Sequence, residues 1–101
     1  MITHFDARKL AAVHIGEGRT ARGGFVPVIV DERTLETPWG WVFFYESEEF
    51  LRTRDFAEAL VGNGPIGVAR ADGKLYEIGS ADSIGDALAR IAEAERQRRL
   101  S

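Results

Sequence analysis

The stretch Trp39-Gly40-Trp41-Val42-Phe43-Phe44-Tyr45-Glu46 limits the fold of this chain more than any other. Successive side chains of a strand point to opposite faces. Trp39, Trp41, Phe43 and Tyr45 therefore share one face as an aromatic stripe, and Val42 and Phe44 take the other. Apolar side chains on both faces mean a central strand covered on both sides, or a strand with one side lent to a partner. With 101 residues there is room for one hydrophobic core, so a single domain spanning 1–101 is expected around this strand.

The neighbouring elements follow from caps, turns and periodicity. Thr3 with Asp6 makes a capping box that opens a helix. Ala7, Leu10, Ala11 and His14 give it a narrow inner stripe, and Gly16 stops it. The segment Phe25–Glu36 is rich in β-branched residues but contains Pro27, which places its start at a sheet edge or outside the ladder. Thr37-Pro38 turns the chain into the aromatic strand. Ser47 caps a short helix begun by Glu48 and Glu49, with Phe50 and Leu51 turned inward. Asp55 opens a second one, Phe56–Val61, ended by Gly62. Ile66–Arg70 and Leu75–Ile78 flank Asp72-Gly73, a strong hairpin signal. A last helix opens at Ser83, with Asp86 at the capping-box position and Ile84, Leu88, Ile91 and Ala92 as its buried stripe.

No strand is followed by a long crossover helix, so the sheet is expected to be mostly antiparallel. The predicted class is α+β: a four-stranded antiparallel sheet with the N- and C-terminal helices packed on one face. The order is helix, strand, strand, short helical insertion, strand, strand, helix.

Composition narrows the function. A hydrophobic content of 45% and a charged content of 29% are those of a folded domain rather than a disordered one. The absence of cysteine removes disulfides, thiolate catalysis and cysteine metal sites. The N-terminus shows no signal-peptide pattern and no apolar run approaches the length of a bilayer span, so a cytoplasmic protein with no membrane contact is expected. A net charge of −3 argues against a nucleic-acid partner. Between residues 31 and 58, eight acids stand against three arginines, so the acidity is concentrated in the middle of the chain.

Catalytic patterns are weak. His4 and His14 are ten residues apart and lack the i, i+4 spacing of helical metal ligands. No serine sits in a nucleophile elbow. Gly62-Asn63-Gly64-Pro65 lacks the Lys-Ser/Thr of a phosphate loop and precedes a strand, so it reads as a structural turn. No catalytic residue, cofactor or metal is expected. Two features suit a protein partner instead. Glu46, Glu48 and Glu49 are either a solvated helix start or a patch for a basic partner. Trp39 and Tyr45 are either core or the aromatic hot spot of an interface.

The segments Pro38-Trp39-Gly40-Trp41-Val42-Phe43-Phe44-Tyr45, Ser47-Glu48-Glu49-Phe50-Leu51 and Leu60-Val61-Gly62-Asn63-Gly64-Pro65-Ile66, in this order and followed by the Asp-Gly hairpin, resemble the YrhB-domain family, also called immunity protein 35. The resemblance runs over roughly residues 36–79, and the terminal helices agree only in kind. It implies a small intracellular protein of a bacterial polymorphic-toxin system, which neutralises a cognate protein toxin without a cofactor. It carries over no catalytic residue. The matching positions Gly40, Trp41, Gly62, Asn63, Gly64 and Pro65 read as fold-forming. A general intracellular binding or chaperone-like module is the alternative.

Overall fold

A computed structural model describes residues 1–20, 23–60, 64–81 and 83–100. Helix α1, His4–Ile15, begins where expected: Thr3 Oγ1 accepts the Asp6 N–H and the Asp6 carboxylate accepts the Thr3 N–H. The helix ends at Gly16. Strands β2 (Leu35–Thr37), β3 (Gly40–Phe43), β5 (Ile66–Ala69) and β6 (Leu75–Glu77) form a four-stranded antiparallel sheet in the order β2-β3-β5-β6. The predicted class, α+β with terminal helices on a four-stranded antiparallel sheet, is the one observed. The β5–β6 pair turns at Asp72-Gly73, where the Asp72 carboxylate accepts the Lys74 N–H. All four residues of β3 and of β5 are buried, so these two strands are the centre of the sheet.

Both long strands of the sequence reading are interrupted. Phe25–Glu36 divides into β1 (Pro27–Ile29) and β2, separated by a 3-10 turn at Asp31–Arg33. Trp39–Glu46 likewise divides at Phe44 into β3 and β4 (Tyr45–Ser47). Strands β1 and β4 make a separate two-stranded antiparallel sheet, and the Val30 N–H donates to the Phe44 carbonyl at the junction. Asp31 is held in the turn by Arg8 of α1, whose guanidinium also grips Glu17, which in turn accepts the Ile29 N–H. One arginine thereby ties the end of α1 to the strand and the turn.

The terminal helices do not share a face. Ala7 and Ala11 of α1 pack with Trp41, Phe43, Ile66 and Val68, whereas Ala87 and Ile91 of α3 (Ile84–Leu100) pack with Val42 and Ile78. Alternation along β3 puts Val42 opposite Trp41 and Phe43, so each helix covers one side of the sheet. A strand apolar on both faces is satisfied by this arrangement. The buried side of α3 also differs from the expected stripe: Ile84 and Ala92 are exposed, and Ala87, Ile91 and Glu95 are buried.

Several carboxylates are held below their usual range: Asp31 by hydrogen bonds from Arg8, Asp6 by the Thr3 backbone and hydroxyl, and Glu93, at about 2, by Arg96 and Gln97. A carboxylate with a depressed folded pKa stabilises the fold above its unfolded pKa, and that contribution is lost as pH falls through the folded value. Denaturant melts are therefore expected to give constant stability from neutral pH down to about 5, then a loss between about pH 4 and about pH 2. These groups are largely solvated, so each contributes little and the loss should be gradual.

Candidate functional site

The β3-to-β4 break at Phe44 opens a cleft of about 520 Å³. Its floor is apolar, from Val30, Phe44, Leu60 and Ile78, and one wall is the segment that carries α2 (Glu48–Thr53). Ser47 builds that wall. Its fully buried hydroxyl accepts the Phe50 N–H at 2.9 Å, capping α2, and donates to the Glu58 carbonyl. Asp55 caps only a 3-10 turn, Phe56–Glu58, instead of the predicted helix to Val61. The backbone is already extended at Ala59, and the Leu60 N–H is taken by the Glu46 carboxylate at 3.3 Å. Val61, Gly62 and Asn63 lie outside the described residues.

The three glutamates differ in their surroundings. Glu46 lines the cleft, Glu48 is exposed at the helix start, and Glu49 is paired with Arg52. The arginines of this region are turned onto rings: Arg33 lies 4.5 Å from the Phe44 centroid and Arg54 lies 5.7 Å from that of Phe50. Glu32, Glu48, Asp55 and Glu58 have no ion pair among the described residues. Phe56, 83% exposed, stands beside Phe50 at a centroid distance of 5.7 Å.

Tyr45 and Trp39 are separated by the sheet. Tyr45 is half-buried on the α1 side and lines the cleft; burial, then the nearby Glu77 carboxylate, raises its phenol above the usual value. Glu77 is also bound to His14 Nε2 at 2.7 Å. Trp39 lies in the turn before β3, outside strand alternation, and its ring falls on the α3 side over Gly67. It makes an edge contact with Tyr76, at a centroid distance of 6.3 Å, and lines a second groove of about 530 Å³ with Pro38, Leu88 and Ala92. The predicted four-residue aromatic stripe thus loses its first member. Trp41 is core, 4% exposed, with the His4 ring 5.9 Å away and the Arg70 guanidinium 4.4 Å from its centroid.

The family-motif residues within the described chain are explained by close approach. A Cβ on Gly40 would lie 2.0 Å from the Val68 carbonyl oxygen, and one on Gly64 would lie 1.5 Å from that of Ile78. Pro65 accepts the Ile78 N–H, joining the turn to the end of β6.

Sequence reasoning missed Glu95. Only 6% exposed, it accepts hydrogen bonds from the Tyr76 hydroxyl and from Arg98, which also reaches Asp72. Its spacing of four from Ile91 was the available signal. Among the described residues, no three His, Asp or Glu side chains gather to hold a metal ion, and no helix is long and apolar enough to cross a membrane.

A family model described as immunity protein 35 matches residues 6–91. The chain is also 31% identical over 90 residues to an uncharacterized protein, YrhB, of Escherichia coli strain K12, covering 87% of this chain and 86% of that protein. No solved structure matches.

Proposed function

Because the chain belongs to the immunity protein 35 family, we propose that it is an intracellular immunity protein that binds a cognate bacterial toxin and neutralises it by occlusion. The family match over residues 6–91 carries this reading. Its geometry is compatible with it: the described surface presents two open grooves and exposed aromatic side chains, the kind of features that protein partners bury. Neutralisation acts by covering the toxin, so the chain itself supplies no catalytic group and needs no cofactor. The acidic middle of the chain favours a basic toxin, because opposite charge speeds encounter and discourages wrong partners.

The test is co-expression with the product of the adjacent reading frame. That product is expected to arrest growth alone and to lose its toxicity when this chain is present, with the two proteins co-purifying. Undiminished toxicity beside well-expressed, folded chain would overturn the immunity reading.

A further inference from the structure

Two acids and two arginines line each groove: Glu32, Glu46, Arg33 and Arg54 in the cleft at the β3-to-β4 break, and Glu36, Glu95, Arg70 and Arg99 at Trp39. What sets the cleft apart is its flank, because residues 46–60 carry Glu46, Glu48, Glu49, Asp55 and Glu58 against Arg52 and Arg54. Both arginines are engaged, Arg52 with Glu49 and Arg54 on the Phe50 ring. Across the opening, Glu32 is exposed with no ion pair among the described residues, while its neighbour Arg33 is laid over Phe44. The cations here are folded onto rings or a neighbouring carboxylate, whereas Glu32, Glu48 and Asp55 are exposed.

We infer that this cleft docks a basic, apolar segment of a partner protein, one that alternates arginine or lysine with leucine-like side chains. The inference rests on the proposed binding role and adds the surface and the chemistry it recognises. The apolar side chains enter between Phe44, Leu51, Leu60 and Ile78. The cations meet Glu32 and Glu46, which line the opening on either side. Glu46 gives one oxygen to the Leu60 N–H, and an ionised carboxylate retains further acceptor capacity for a guanidinium. Phe56 beside the mouth offers a further ring face for a cation. Desolvated apolar anchors with a charged rim are the usual composition of an interface centre and its edge.

The test uses a defined probe: a synthetic twelve-residue peptide alternating leucine and arginine, titrated into the isotope-labelled full chain and followed by amide chemical shifts. Shifts are expected at Phe44, Glu46, Leu51 and Ile78, weakening as salt is raised. A leucine–glutamate peptide of the same length should produce none. In the double variant Glu32→Lys, Glu48→Lys, both positions exposed, affinity should fall by at least about tenfold with the melting temperature within a few degrees of wild type. The variant Val13→Lys on the outer face of α1, at a side chain 82% exposed, should bind as wild type does. The inference is overturned if the basic peptide shifts residues around Trp39 instead, if the acidic peptide binds equally, or if the double variant keeps its affinity. Those results leave the co-expression outcome untouched, so a wrong surface and a wrong function are told apart.

Discussion

Replacing Trp41 by alanine is expected to remove about 3–5 kcal/mol of stability, the range for emptying a large aromatic core site. The indole is nearly sealed: α1 crosses it with Ala7 and Ala11, both fully buried, while Phe43, Ile66 and Val68 surround it within the sheet. Two alanines on the helix let its backbone approach the ring closely, so little nearby side chain is available to fill the space left behind. The cavity term therefore adds to the lost transfer term. Two surface contacts go as well, since the His4 ring and the Arg70 guanidinium both lie against Trp41. A domain of this size has about 5–15 kcal/mol in total, so the variant loses a large share of its stability. A urea titration of wild type and variant measures the difference. A loss below about 1 kcal/mol would mean the indole is a surface contact and not a core side chain.

What the sequence made legible is local. The Thr3–Asp6 box, the Ser47 cap and the Asp72-Gly73 hairpin each depend on residues within four positions of one another, and each is found where the chain predicts it. What it hid depends on distant partners. Val26–Val30 and Leu35–Thr37 have the same β-rich character, and nothing between them marks a break except Asp31, whose holder Arg8 is 23 residues away. The division of the aromatic strand at Phe44 has the same origin: its carbonyl is claimed by Val30, just after β1, a pairing that no local pattern announces.

The helix faces show a second limit. Alternation along β3 says that both sides are apolar, but not which helix covers which side. The alanines of α1 match the large side chains Trp41 and Phe43, and that size complementarity was readable only after the sheet was placed. Glu95 was not singled out, although its spacing from Ile91 is that of a buried position; Tyr76 and Arg98 supply the partners that make its burial tolerable. For the candidate surface, the acidic segment was legible from composition. The pairing of Glu49 with Arg52, and the folding of the arginines onto Phe44 and Phe50, needed coordinates.

Gly40→Ala should be nearly as damaging as the loss of Trp41, although it adds a single methyl group. Gly40 opens β3 opposite Ala69 of β5, and the Thr37 hydroxyl bridges its N–H and carbonyl at 3.0 and 3.1 Å. A Cβ there would sit 2.0 Å from the Val68 carbonyl oxygen and 3.0 Å from the Arg70 nitrogen. Both are backbone atoms, one within β5 and one just after its end, so no side chain can swing away to relieve the overlap. The strands must separate or the β2–β3 turn must rebuild, which also endangers the Arg70 N–H bond to the Trp39 carbonyl. Overpacking a close contact costs about 1–3 kcal/mol when side chains can adjust, and a backbone clash belongs at or beyond the upper end. Gly18→Ala supplies the contrast, because its φ is +79° but nothing lies within 4 Å of the added atom. There only the backbone preference is offended, about 1–2 kcal/mol. Urea melts of the two variants should therefore differ clearly, with Gly40→Ala the less stable; equal losses would show that strand spacing at β3 and β5 is not what requires glycine at this position.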